Sequence, residues 1–89
     1  MKNLILNGGI GDFLQFIPYL ISPEARNDEV YVSTHQREVA SLFISLGLSV
    51  KQYFYFESIG EQTLVNQKIK AISDIQQPPR TNYFNTNPF

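Results

Sequence analysis

A chain of 89 residues without cysteine has room for one domain and must hold it by packing, because disulfides and Cys-based metal sites are both closed to it. Surface scaling leaves about two-thirds of the extended chain's surface buried, enough for one modest core. Seven basic residues stand against eight acidic ones, with a single histidine. This balance excludes an electrostatic drive toward nucleic acid or an anionic membrane, and it argues against an internal zinc or dinuclear centre.

Leu4-Ile5-Leu6 is a short apolar run closed by Asn7-Gly8-Gly9. It is too short for a helix and does not alternate, so it reads as a buried central strand. After Gly11-Asp12, the residues Phe13, Leu14, Phe16, Ile17, Leu20 and Ile21 recur at spacings of three and four, one broad apolar helix face. Pro18 lies inside that pattern and is expected to kink or shorten the helix, and Ser22-Pro23 ends it. Val30-Tyr31-Val32 predicts a second strand, stopping at Ser33-Thr34. Either of those hydroxyls suits a cap for a helix starting near His35, with Val39, Leu42, Phe43 and Leu46 inward and Gly47 at its C-terminal end. Val50 to Phe56 predicts a third strand, in which alternation sends Phe54 and Phe56 to one face and Tyr53 and Tyr55 to the other. Leu64, Ile69, Ile72 and Ile75 suggest a weaker helix between Glu61 and Asp74.

Strands alternating with helices of this length are the pattern of parallel crossover units. The expected fold class is therefore α/β, a Rossmann-like three-stranded parallel sheet with crossover helices over residues 1–76. Pro78-Pro79-Arg80 breaks any helix, and residues 77–89 read as an irregular C-terminal tail whose Tyr83, Phe84 and Phe89 pack back over a sheet edge or meet another copy. Three strands with two open edges make a lean sheet, so a second copy or a further domain is expected to complete it. The N-terminal apolar stretch is too short for a signal peptide or a spanning helix, and a cytoplasmic location is the default expectation.

The chemistry concentrates in Asn7-Gly8-Gly9-Ile10-Gly11-Asp12. A strand feeding a glycine turn and a helix start makes a nest of backbone N–H groups suited to a phosphate, carboxylate or polarised hydroxyl. Gly8, Gly9 and Gly11 matter there if side chains would block a ligand or forbid a positive φ. The alternative is that they only permit a tight turn. The dinucleotide fingerprint is incomplete, since Leu14 stands where the third glycine belongs and no carboxylate follows the second strand. Ser33, Thr34 and Arg37 as a 2′-phosphate pocket is a minor alternative, and the P-loop is excluded for lack of Gly-Lys-Ser/Thr. Asp12 has two readings, a cap for the helix N-terminus and a general base at the rim where open α/β sheets bind ligands. His35 reaches the same rim or merely faces solvent at a helix start. Arg37 and Lys51 read as surface charges.

Asn7 to Leu14, with Pro18-Tyr19-Leu20 a turn later, resembles the opening of the heptosyltransferase-like glycosyltransferases, two-domain enzymes of the GT-B architecture. The resemblance extends over residues 1–56 in element order and over 4–20 in residue detail. It implies an incomplete GT-B N-terminal, acceptor-side domain, with Asp12 matching the base toward the acceptor hydroxyl. By the same resemblance Gly9 and Gly11 shape the turn at the interdomain cleft, and with Gly8, Ile10 and His35 they make up the expected substrate-binding set. Partners in a complete enzyme would be a nucleotide-sugar and a glycan acceptor, with no metal and no further cofactor. Because the sugar nucleotide is held mainly by the second domain, sugar transfer is expected only when that domain is supplied. The alternative expectation is a noncatalytic small-ligand-binding or oligomerisation module of the same fold.

Overall fold

A computed structural model of the chain describes residues 2–80. Its strands are β1 (Asn3–Asn7), β2 (Glu29–Thr34), β3 (Gln52–Tyr55) and β4 (Ile75–Gln76). Its helices are α1 (Ile10–Leu20), α2 (Val39–Ser45) and α3 (Ile59–Lys70), with a 3-10 turn at Pro23–Ala25. All pairings are parallel and the strand order is β3-β2-β1-β4. The architecture is thus α/β with a parallel sheet and interleaved helices, a Rossmann-like topology.

The sheet has four strands rather than the three expected. The fourth, Ile75–Gln76, pairs with Asn3 and Leu4 on the far side of β1. It therefore covers the central strand and leaves β3 at the edge. Ile75 continues the spacing that predicts a helix between Glu61 and Asp74, but α3 stops at Lys70, and Asp74 takes a left-handed φ of 54° just before the strand. Side-chain periodicity had no grip on so short a strand, because backbone pairing to β1 defines it.

Alternation along β1 and β2 divides the interior into two layers. Leu4, Leu6, Val30 and Val32 point to one face, where α1 and α2 deliver Phe13, Phe16, Val39 and Phe43. The rings of Phe13 and Phe43 meet edge to face at 5.5 Å. Ile5, Tyr31 and Phe54 point to the other face, which α3 covers with Val65 and Ile69. At about 1.5–3 kcal/mol for each large apolar side chain removed from water, the first layer supplies the larger share of stabilisation.

Local chemistry adjusts the expected boundaries. Helix α1 runs through Pro18 to Leu20. The proline sits close to the helix end, so it forfeits one ladder bond, while the Ile21 amide still reaches the Ile17 carbonyl at 3.0 Å. Helix α2 begins at Val39 rather than near His35, because Thr34 Oγ1 accepts from the Gln36 amide at 3.0 Å and turns the chain there instead. Gly47 closes α2 as expected, with φ 72° and the Leu48 amide donating back to the Phe43 carbonyl at 3.0 Å. Residues 77–80 have no regular structure, and the expected contacts of Tyr83, Phe84 and Phe89 lie outside the described residues.

Candidate functional site

The route β1-α1-β2-α2-β3 keeps both helices on one face, and α3 then crosses the other face to place β4 beside β1. The strand order reverses at β1, so the C-terminal ends of the strands open onto a topological switch point, where ligands settle in open α/β sheets. A cleft of about 440 Å³ lies at this rim. Asn7, Gly8 and Asp12 form one wall, Ser33 and His35 come from the end of β2 and the residue after it, and Phe56, Gln62 and Asn66 come from β3's exit and α3.

The glycines of the turn have unequal roles. Only Gly8 takes a left-handed φ, +122°, and a Cβ there would lie 2.7 Å from the Asp12 Cγ. At Gly9 the obstacle is the movable end of Gln36, and at Gly11 a Cβ meets nothing within 4 Å. Of the three, a positive φ is thus required at Gly8 alone. Its conformation is set by the need to seat Asp12 inside the turn.

Asp12, the third residue of α1, turns back so that Oδ2 accepts from the Gly9 amide at 3.0 Å. The Ile10 amide donates to Gln36 Oε1 at 2.9 Å. Two amides of the nest are therefore occupied by the protein's own side chains. Those of Gly8 and Gly11 find no acceptor among the described residues. Fully buried Thr34 donates to the Gly8 carbonyl at 2.9 Å, fixing the turn to the end of β2. The other oxygen of Asp12, Oδ1, lies 3.5 Å from Arg80 Nη1, in a pair whose side chains are 37% and 45% exposed. This exposure leaves the contact screened and weak.

His35 is exposed, its ring 6.1 Å from that of Phe56. Of the residues expected to bind substrate, Gly8 and His35 join Asp12 in lining the cleft, whereas Gly9, Ile10 and Gly11 do not. Asn7, Ser33, Phe56, Gln62 and Asn66 were not in that expected set. Residues of α3 gave no sequence signal, because Gln and Asn on a polar helix face look like ordinary solvated positions. Arg37, expected as a plain surface charge, stacks over the Tyr55 ring at 4.7 Å. Among the described residues no three His, Cys, Asp or Glu side chains group as metal ligands, and no helix is long and apolar enough to cross a membrane.

A second cavity, of about 190 Å³, sits at the opposite end of the sheet between Leu20, Val30, Phe43, Leu48 and Val50, with Arg26, Asp28 and Ser49 also in its lining. It is the more enclosed of the two, but its floor is the apolar core, and it holds none of the residues around the glycine turn. Both cavities carry hydrogen-bonding groups, and the rim is the better candidate because it lies at the strand ends beside the topological switch point.

Fold and rim together define a class: a small Rossmann-like α/β domain with a parallel sheet, crossover helices and a polar cleft at the strand ends. Compared with known proteins, the chain matches no family model, no curated protein and no solved structure.

Proposed function

We propose that the rim cleft binds a neutral, hydroxyl-rich ligand of carbohydrate type, and that the chain is the acceptor-side part of a glycosyltransferase-like protein. The observation that carries this reading is the cleft's lining. One carboxylate, two amide side chains on α3, Asn7, Ser33, an imidazole and the Phe56 ring converge there, and the one nearby cation, Arg80, is already set against Asp12 Oδ1 at 3.5 Å. Hydroxyl groups donate and accept, so they suit such a mixed set, and an aromatic ring suits the apolar face of a sugar. A phosphate is disfavoured. Asp12 already fills the Gly9 amide with negative charge, so a second anion beside it meets like charge.

In this reading Asp12 keeps Oδ2 on the Gly9 amide, which orients the carboxylate, and offers Oδ1 to an acceptor hydroxyl. A carboxylate held in one rotamer against a hydroxyl is the arrangement a general base requires. The resemblance described above supports that role. Sugar transfer would further need a donor site, supplied by a second domain that binds the nucleotide-sugar.

Calorimetric titration with a panel of neutral methyl hexopyranosides and the corresponding sugar phosphates tests the reading. The neutral sugars should bind in preference, and Asp12→Asn should weaken them by about tenfold, since a hydrogen bond to a charged group is lost while the Gly9 acceptor is kept. Preference for the phosphates, or indifference to Asp12→Asn, would overturn it.

A second reading, an oligomerisation module, is favoured by a different observation. Ile10, Leu14 and Ile21 of α1 and its C-terminal cap are 39%, 40% and 63% exposed. β3 also leaves one edge without a partner among the described strands. Light scattering across a concentration series tests it, and a monomer at every concentration removes it.

A further inference from the structure

We infer that residues 77–80, which leave β4 and pass over the glycine turn, act as a strap that competes with ligand for Asn7 and Asp12. The inference rests on the rim cleft being the binding site. Both residues line that cleft, and both are engaged from far along the chain. Gln77 Nε2 donates to Asn7 Oδ1 at 3.2 Å, and the Arg80 guanidinium stands 3.5 Å from Asp12 Oδ1. Between them Pro78 is buried, which anchors the segment. The Arg80 guanidinium also stacks over the Phe16 ring at 4.7 Å, so its position is fixed by α1 as well as by charge.

The competition follows from which oxygen is taken. Asp12 Oδ2 belongs to the turn, because Gly9 needs it. Oδ1 is the oxygen free to meet a ligand hydroxyl, and Arg80 covers it. Likewise Asn7 Oδ1 is occupied by Gln77 at the same rim. Each strap contact is long or half-exposed, the kind that water and salt weaken readily. The strap is therefore closed in the empty protein and cheap to open. A ligand that supplies hydroxyls to Asn7 and Asp12 replaces both contacts, and Arg80 keeps its seat on Phe16 or swings into water.

The test titrates the whole chain, Arg80→Ala and Gln77→Ala with a neutral methyl hexopyranoside at low and high salt. Thermal melts of each variant establish that it is folded. Closed-strap competition predicts that Arg80→Ala binds about two- to fivefold more tightly than the parent at low salt, the factor an exposed ion pair is worth. High salt should tighten the parent toward the variant and leave the variant unchanged. Gln77→Ala should show a smaller gain with the salt response intact. Equal or weaker binding by Arg80→Ala overturns the strap while leaving the site in place. Failure of all three proteins to bind any of the sugars overturns the site, and the strap with it.

Discussion

The two faces of the sheet are built to different standards. On the α1/α2 face, Leu6, Phe13, Phe16, Val32, Val39 and Phe43 have no exposed surface at all. On the α3 face, Ile5, Tyr31, Phe54, Val65 and Ile69 each keep 7–8%. The difference lies in helix composition. Helix α1 is apolar around most of its circumference, whereas α3 contributes two buried side chains one turn apart and is otherwise polar. The thin face is also where Gln62 and Asn66 look into the cleft. One layer holds the domain together, and the other gives up packing to present polar groups.

Truncation on each face should break this comparison most sharply. Phe13→Ala or Phe43→Ala should cost about 3–5 kcal/mol, whereas Ile69→Ala should fall near the low end of its class, about 2 kcal/mol, because a loosely packed site collapses more easily. Urea midpoints at unchanged slope would measure both. Equal losses would mean that α3 is packed as tightly as α1. Next in size is Gly8→Ala, expected to cost about 1–3 kcal/mol for the left-handed backbone and the displaced Asp12. The same change at Gly11 should instead stabilise by about 0.5–1 kcal/mol, since it adds helix propensity in open space. A loss at both glycines would show that the turn as a whole, rather than the seat of Asp12, makes the demand.

The smallest effect concerns the edge of the thick face, where Tyr53 packs against the core. Burial, and then the neighbouring Tyr55, pushes the Tyr53 hydroxyl above its ordinary value of 10.0. The folded state then holds this proton more tightly than the unfolded chain does. The associated stability is complete below about pH 10 and is lost as pH rises through the folded value. Tyr53→Phe should leave the melting temperature at neutral pH nearly unchanged and flatten its decline above about pH 10. An identical alkaline decline in the variant would place the titrating group elsewhere.

Much of the fold was legible in the residues. The Leu4–Leu6 run, the Phe13 to Leu20 stripe, the β-rich Val30–Val32 and the stop at Gly47 each carry a local signal that tertiary structure did not override. The fourth strand was not legible, because two residues cannot show a period and Ile75 continued the spacing of Leu64, Ile69 and Ile72. The delayed start of α2 depended on Thr34 bonding Gln36, a competition between cap and turn that either hydroxyl satisfies. At the site, Asn7-Gly8 and Asp12 stood out as a cluster because strand, turn and helix meet there. Gln36, Gln62, Asn66 and Arg80 did not, since their approach to the turn is created by the crossovers and by β4 docking against β1.

Amide chemical-shift mapping during titration with a neutral methyl hexopyranoside is the most direct measurement of the central claim. The rim account predicts that the largest shifts fall on Gly8, Ser33, His35, Phe56 and Asn66, with the second cavity around Leu48 and Val50 silent. Shifts centred on Leu48 and Val50, or none at the strand ends under saturating sugar, would contradict it.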